Sequence, residues 1–280
     1  MPKAWKQSLH RTLTGAAERW RGSPRDNLVF LHIPKSGGMS LHSAIARLYP
    51  LSNARLPSAK SWRAAEQLGR DSTDEVAELR LFLLAIHLND GVRFVSGHFR
   101  FDERIYAAFH QRYRFVTLLR NPTRRWVSHY FYNRYKQHSQ HRAISLELEH
   151  YLQTDAARRQ GSIAVRYIGG TRADGDYNSE AAITCAKQNL EHFALVGCLE
   201  DLGRFVEVFQ SRFHARLSIP QRNENPKDSA EIQSAITPDI ERRIDALCEP
   251  DWGPVPARAR ADRRWELGVV ERAWRAENRR

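Results

Sequence analysis

A lysine, two glycines and two serines lie close together near the start of the chain, in the segment PKSGGMS at residues 34–40. Paired glycines let the backbone turn sharply, so that successive N–H groups can point into one concavity and bind an anion. Lys35 adds a mobile positive charge, and Ser40 adds a hydroxyl group. These residue types at this spacing predict a phosphate-binding loop at residues 35–40.

The elements on either side of this loop favour the same chemistry. The apolar run from Leu28 to Ile33 predicts a buried strand, and Pro34 ends it because proline cannot donate to a sheet. A helical pattern follows, with these apolar residues on one face: Leu41, Ala44, Ile45 and Leu48. A helix that begins just after the glycines would point the unpaired N–H groups of its first turn at the same anion.

The position of the lysine argues against a nucleoside-triphosphate loop. Such loops read GxxxxGK[ST], with the lysine directly before the hydroxyl residue. Here Lys35 comes five residues before Ser40, and no glycine opens the loop. The loop alone leaves a second interpretation open, in which it is an ordinary turn between a strand and a helix with a lysine on its surface.

A second phosphate-binding group is predicted in the segment RNPTRRWVS at residues 120–128. The mainly apolar segment 114–119 predicts a core strand, and the asparagine and proline that follow Arg120 are typical of a helix start. Arg120 therefore lies at the carboxyl end of a strand, where open α/β sheets bind ligands. Ser128 lies two turns into the next helix, within reach of the same space.

A structural interpretation of the same segment remains open. Arg124 and Arg125 could form a solvated helix face, and Ser128 could be a small packing residue. This interpretation explains Arg120 less well, because an apolar strand has no packing reason to end in an arginine. A guanidinium group there is suited to a phosphate, which it can bind through two hydrogen bonds.

Strand-like runs alternate with helical patterns along most of the chain. Further strands are expected at 92–96 and 194–197, and further helices at 75–88, 145–154, 181–192, 202–213 and 238–247. Because the strands are almost entirely apolar, both faces of their sheet should be covered, as in parallel sheets. The sequence therefore predicts an α/β fold of the P-loop-like kind, with a central parallel sheet in three α/β/α layers.

The chain also suggests a plan of one domain with two basic extensions. A basic N-terminal arm is expected at 1–26, the domain at 27–250, and an arginine-rich helical tail at 251–280.

Residues 51–71 are polar and predict a loop bearing short helices. The helix at 75–88 is so apolar that we expect it to be buried almost all round.

The charge distribution indicates a small anionic ligand rather than a nucleic acid. The net charge is +12, and residues 100–142 contain ten Lys and Arg residues against two acids. A single cluster of basic residues beside a phosphate loop favours a compact ligand with a high negative charge. A nucleic-acid footprint would be a continuous stripe with a known binding motif, and the sequence has none, so no nucleic-acid partner is expected.

Cysteine usage and hydropathy predict a cytoplasmic protein. The three cysteines, Cys185, Cys198 and Cys248, are widely spaced and contain no CxxC pair, which predicts neither a disulfide framework nor a zinc site. The longest apolar run, 81–86, is too short to span a bilayer, and the N-terminus has no apolar signal segment. Contact of the basic N-terminal arm with a membrane surface remains an open alternative.

The two phosphate motifs, taken together, resemble those of a known family. PKSGGMS resembles the 5′-phosphosulfate loop of sulfotransferases, and RNPTRRWVS resembles their 3′-phosphate motif, an arginine followed eight residues later by a serine. The likeness is closest to carbohydrate sulfotransferases of the heparan-sulfate 2-O-sulfotransferase type and related bacterial proteins. It covers 27–135 well and 193–213 more loosely. One departure is Met39, where the family usually has threonine.

This resemblance implies the donor 3′-phosphoadenosine 5′-phosphosulfate (PAPS), a hydroxyl acceptor on a carbohydrate or glycolipid, and no metal. Phosphates at both ends of the donor's ribose would explain two separate anion sites. Lys35 would neutralise the bridging oxygen as the 5′-phosphate leaves. The other implied binding residues are Ser36, Gly37, Gly38, Met39 and Ser40 for the 5′-phosphosulfate, and Arg120 and Ser128 for the 3′-phosphate.

His98 is the candidate for the base that takes the proton of the acceptor hydroxyl. It follows Gly97 at the end of the second predicted core strand, on the same sheet edge as Lys35 and Arg120 if the sheet is parallel. Histidine titrates near neutrality, as a general base should, and the similar GH position acts as the base in the resembled branch. A histidine at a strand end is otherwise usually structural, and His32, inside the first strand, is expected to be a core residue.

Two other functions stay open on the sequence. A small-molecule kinase would use the same loop for a nucleotide, although the position of Lys35 argues against it. A non-catalytic module that binds anionic glycans or nucleic acid through its arginines would retain binding without Lys35, with a strong dependence on salt.

Overall fold

The sheet predicted from the sequence is present. The computed structural model describes residues 24–70, 72–136, 143–172, 175–219, 232 and 234–254. The strands of this part of the chain are β1 (Asn27–Leu31), β2 (Asn53–Arg55), β3 (Phe94–Gly97), β4 (Tyr113–Leu119) and β5 (Leu195–Cys198). They form one five-stranded sheet in the order β2-β3-β1-β4-β5, and every pair is parallel.

Helices connect these strands and follow the last one. Between β1 and β4 they are α1 (Gly38–Ala46), α2 (Ser58–Gln67), α3 (Thr73–Asn89) and α4 (Glu103–Phe109). Between β4 and β5 they are α5 (Pro122–Tyr135), α6 (Leu148–Tyr151), α7 (Asp155–Gly161), α8 (Ile163–Ile168) and α9 (Glu180–Leu190). After β5 come a 3₁₀ turn at Leu199–Asp201 and then α10 (Leu202–Phe213), α11 (Pro238–Leu247) and α12 (Glu249–Trp252).

Both faces of the sheet are covered, because side chains alternate between them along each strand. In β1, Val29 and Leu31 belong to an apolar cluster that includes residues of α3 and α9. Leu28 and Phe30 belong to a second cluster, on the other face, that includes residues of α1 and α10. All four are buried, so the predicted three-layer α/β/α architecture with a central parallel sheet is confirmed.

The strand order creates the place where a ligand can bind. β1 and β4 are neighbours at the centre of the sheet. The strand that follows β1 in the chain lies at one edge of the sheet, and the strand that follows β4 lies at the other. The two connections therefore leave the sheet in opposite directions, which opens a crevice at the carboxyl ends of β1 and β4.

Most predicted elements lie within a residue or two of their observed positions, and three expectations are wrong. Residues 51–71 contain the short edge strand β2, whose side chains are too polar and exposed to show a strand pattern. The helix α3 is not buried all round, because Phe82 is 63% exposed and Ile86 is 55% exposed. The helix predicted at 145–154 is only the short α6, since Thr154 caps the next helix with its side chain.

The arm and the tail expected from the sequence fall largely outside the described residues, since 1–23 and 255–280 are not among them. In the part of the chain that is described, no helix has both the length and the apolar character needed to cross a membrane.

Candidate active site

The connection between β1 and α1 has the backbone of an anion-binding loop. Lys35 and Gly37 have φ angles of 67° and 70°, both in the left-handed region, and left-handed residues in such loops turn neighbouring N–H groups into a concavity. Gly37 is also the N-cap of α1, and neither a capping side chain nor an acid lies at the first turn. The N–H groups of that turn are therefore left for an anion. A lysine in this conformation is strained, and such strain is common in ligand-binding loops.

Ser36 contributes a fully buried hydroxyl group that has no hydrogen bond within the described residues. A buried hydroxyl without a partner is costly and is rare in folded proteins. An anion in the loop would provide the missing acceptor, so the residues present fit a phosphate-like group.

Arg120 lies against this loop. It directly follows β4, and its Nη1 donates to the backbone carbonyl oxygen of Lys35 at 2.9 Å. Its Nε lies 3.9 Å from Oε1 of Glu200 and makes no hydrogen bond within the described residues. Burial lowers the pKa of Arg120, and Glu200 opposes that shift. The guanidinium group is thus partly desolvated and only partly compensated, which favours an anionic ligand.

Glu200 is itself held in place from two sides. The backbone N–H of Asn121 donates to its Oε2 at 3.1 Å, and Sγ of Cys198 donates to the same atom at 2.7 Å. No role was predicted for Glu200 from the sequence. Its position shortly after β5, near the carboxyl end of a parallel strand, is the feature of the sequence that could have indicated one. Its carboxylate lies on the Nε side of Arg120, while Nη1 of Arg120 contacts the loop.

Lys35 brings a second desolvated cation to the same place. Its ammonium nitrogen Nζ lies 3.7 Å from the centre of the Tyr132 ring. Burial, and to a smaller extent the positive charge of Arg120, lower the pKa of Lys35 to about 8. A negative charge placed between Lys35 and Arg120 would relieve both effects.

The helix α5 carries Ser128 toward this region. Ser128 is buried, and Tyr132 follows it by four residues, so the two lie on the same helix face. Because Lys35 contacts the Tyr132 ring, that face is turned toward the loop. Arg124, four residues before Ser128, is exposed on the same face.

Arg125 points elsewhere, and the structure overturns its interpretation as part of a solvated face. It is 1% exposed, its Nε lies 3.8 Å from Oδ2 of Asp251, and its Nη2 donates to the carbonyl oxygen of Gln160. Burial raises the pKa of Asp251 to about 6, and Arg125 opposes that rise. Asp251 also accepts from the backbone N–H groups at the start of α8. Arg125 therefore ties α5 to the C-terminal helices.

His98 lies at the end of β3, in a fixed tautomer. Its Nδ1 lies 2.6 Å from the carbonyl oxygen of His32, and a carbonyl can only accept, so Nδ1 carries the proton. In the neutral ring Nε2 therefore has the lone pair that a general base needs. Arg80 also holds the backbone of His98, because its Nη1 donates to the carbonyl oxygen of His98 at 3.0 Å.

His32 is buried beside His98. It is 5% exposed, its ring centre lies 4.2 Å from that of His98, and burial lowers its pKa well below the usual value. The ring also fills the space next to Gly38, since a Cβ atom on Gly38 would overlap it. The expectation that His32 is a core residue agrees with this burial.

The close packing of Gly38 on His32 leads to a stability prediction. Replacing Gly38 by alanine should lower the free energy of unfolding by about 1–3 kcal/mol, the usual cost of overpacking. Urea denaturation measures the change. The matched control is Gly203→Ala in α10, where an added Cβ meets no atom within 4 Å, so stability should be unchanged or slightly higher. Equal stability of both variants would contradict the contact with His32.

The sequence-predicted site residues lie at one edge of the sheet in two groups. Arg120 and Lys35 are in direct contact, while His98 is joined to the loop region through His32. Met39 and Ser40 lie in the first turn of α1, where Met39 is 49% exposed. Within the described residues, no group of three or more His, Cys, Asp or Glu residues could hold a metal ion.

Comparison with known proteins yields distant structural likenesses. No protein-family model and no curated protein matches the chain. The structure is similar to a sulfotransferase from Alicyclobacillus acidocaldarius, with 17% identity and a TM-score of 0.45, over 88% of this chain and 99% of that one. It is also similar to mouse sulfotransferase SULT7A1 complexed with PAP, with 13% identity and a TM-score of 0.42, over 82% of this chain and 86% of that one. Likenesses this distant assign no activity, so the function is inferred from the site itself.

Proposed function

We propose that this protein is a sulfotransferase that moves a sulfuryl group from PAPS to a hydroxyl group, of a carbohydrate or glycolipid. The observation that carries the proposal is the contact between two anion-binding groups, Arg120 and the Lys35 loop, at the carboxyl ends of neighbouring strands. A donor with separate phosphates at its 5′ and 3′ positions needs two such groups. The resemblance of both motifs to those of sulfotransferases supports the same assignment.

The donor would be held by the loop at residues 35–40 together with Arg120 and Ser128. The backbone of residues 36–40 and the orphaned Ser36 hydroxyl would bind the 5′-phosphosulfate. Arg120 and Ser128 would bind the 3′-phosphate, since Arg120 contacts the loop and Ser128 shares a face of α5 with Tyr132, whose ring contacts Lys35. PAPS supplies an activated sulfuryl group, and the protein contributes position and charge.

The transfer step assigns one task to each remaining residue. The acceptor oxygen forms a bond to sulfur as the bond from sulfur to the 5′-phosphate oxygen breaks, and the acceptor proton moves to Nε2 of His98. Lys35 stabilises the negative charge that develops on the leaving oxygen. The His32 carbonyl keeps the His98 ring in the tautomer that can accept the proton.

The direct test is transfer from a sulfur-labelled phosphosulfate donor to a panel of glycans, lipid-linked sugars, phenols and tyrosine peptides. A parallel reaction with ATP labelled at its γ-phosphate examines the kinase alternative. Labelled acceptor from the phosphosulfate arm alone would support the proposal. Transfer from ATP alone, or no transfer with retained glycan binding, would replace it by one of the other two functions.

The role of Arg120 can be tested by binding alone. Arg120→Ala should weaken binding of 3′-phosphoadenosine 5′-phosphate (PAP) by about 1.5–3 kcal/mol, the range for a hydrogen bond to a charged group. Binding of AMP, which lacks the 3′-phosphate, should barely change. Calorimetry measures both, and Arg63→Ala on the exposed face of α2 is a control with the same charge change. Equal losses for PAP and AMP would contradict this role.

A further inference from the structure

The side chain of Lys35 is held by an aromatic ring. Its Nζ lies 3.7 Å from the centre of the Tyr132 ring, well within the distance of a cation–π contact. Within the described residues, the charge that shifts the pKa of Lys35 is that of Arg120, and no carboxylate contributes to the shift. The same lysine is held at its backbone by Arg120, so both ends of the residue have a fixed place.

The Tyr132 ring is not part of the apolar core. It is 43% exposed, whereas the neighbouring Tyr130 and Phe131 are buried in a cluster with residues of α6, α7 and α11. An exposed ring on a helix has no packing reason to be aromatic. Its observed contact is with the ammonium group of Lys35.

From these observations we propose that Tyr132 is the positioning residue for Lys35, through the face of its ring rather than its hydroxyl. The inference rests on the proposed function, in which Lys35 stabilises the leaving 5′-phosphate. Tyr132 lies one helical turn beyond Ser128, so one face of α5 carries both the predicted 3′-phosphate ligand and the support for the lysine.

A ring suits this task better than a carboxylate. An acid beside Lys35 would cancel its positive charge and would repel an incoming phosphosulfate group. An aromatic face attracts the cation through its quadrupole and carries no net charge. Tyr132 can therefore restrict the lysine to the loop and leave its charge available to the donor.

The first test is a pair of substitutions at Tyr132. Tyr132→Leu removes the ring and should lower kcat about 3- to 30-fold, the range of a cation–π contact between exposed and desolvated sites. The affinity for PAP should stay within about twofold. Tyr132→Phe keeps the ring and should restore most of kcat. Phe82→Leu, which removes an exposed ring from α3, is the matched control and should leave kcat unchanged.

A double-mutant cycle separates positioning from a general structural effect. In a Lys35→Ala background, Tyr132→Leu should cause no further loss, because the group it positions is gone. A further loss of the same size would overturn the proposal. So would a Tyr132→Phe variant as slow as Tyr132→Leu, since that result would assign the role to the hydroxyl.

A spectroscopic measurement tests the contact without any enzyme activity. In the native protein, the NMR signals of the Lys35 ε-CH₂ group should be shifted upfield by the ring current of Tyr132, and the shift should disappear in Tyr132→Leu. If the native protein transfers no sulfuryl group but the shift is present, the proposed function fails and the contact stands. If transfer occurs and the shift is absent, the positioning role fails alone.

Discussion

Replacing His98 by alanine is expected to lower kcat by about 10²- to 10⁴-fold, the usual contribution of a general base, while PAP binding stays nearly unchanged. The reason is geometric. The His32 carbonyl holds the proton on Nδ1, so Nε2 of the neutral ring is the acceptor. The acidic limb of the pH profile of kcat/KM should also disappear, because that limb reports protonation of the imidazole in the free enzyme.

His98→Asn separates the base from a structural role. The asparagine amide can still donate to the His32 carbonyl but offers no nitrogen that titrates near neutrality. It should therefore retain the thermal stability of the native protein and be about as slow as His98→Ala. An asparagine variant with near-normal turnover and the same acidic limb would return His98 to a structural role.

Replacing Lys35 by alanine is expected to lower kcat by about 10²- to 10³-fold, the loss seen when one preorganised charge-stabilising donor is removed. The pH dependence has a definite sign. Burial and the nearby Arg120 lower the pKa of Lys35 to about 8, so the ammonium form is lost as the pH rises through that value. In the native enzyme, kcat/KM should fall on the alkaline side near pH 8, and this limb should be absent in Lys35→Ala.

Lys35→Arg provides the sharper version of this test, because an arginine keeps its charge across the whole range. It should be faster than Lys35→Ala and should show no alkaline limb near pH 8. Lys187→Ala, on the exposed side of α9, removes the same charge elsewhere and should keep both the rate and the limb. An alkaline limb that persists in Lys35→Arg would assign that titration to another group.

The turn at residues 35–37 and the helix starts could be predicted because they depend on neighbouring residues in the chain. Gly37 has the left-handed backbone that a glycine favours, and Asn121 caps α5 by accepting from the N–H of Arg124. The parallel sheet followed from strands that are apolar on both faces. These features need only the local order of residues, so they were visible in the sequence.

The sequence-based predictions of side-chain burial were wrong where burial depends on which other element packs against a helix. The composition of α3 is apolar throughout, yet Phe82 and Ile86 are exposed, because one side of the helix packs on the sheet and the other does not. Arg125 has the same residue type as its neighbour Arg124, but it is buried against Asp251, which is distant in the sequence. A hydropathy pattern does not say which partner covers a given face.

By itself, the sequence determined which residues could act at the site: Lys35 after the first strand, His98 after another and Arg120 after a third. Only the tertiary structure decided how they meet. The strand order makes β1 and β4 neighbours and so brings Arg120 onto the Lys35 carbonyl. The His98 tautomer, set by the carbonyl of His32, and the ring beneath Lys35 likewise arise between elements distant in the chain. Such contacts depend on which elements pack together, and local patterns of residue type do not encode that choice.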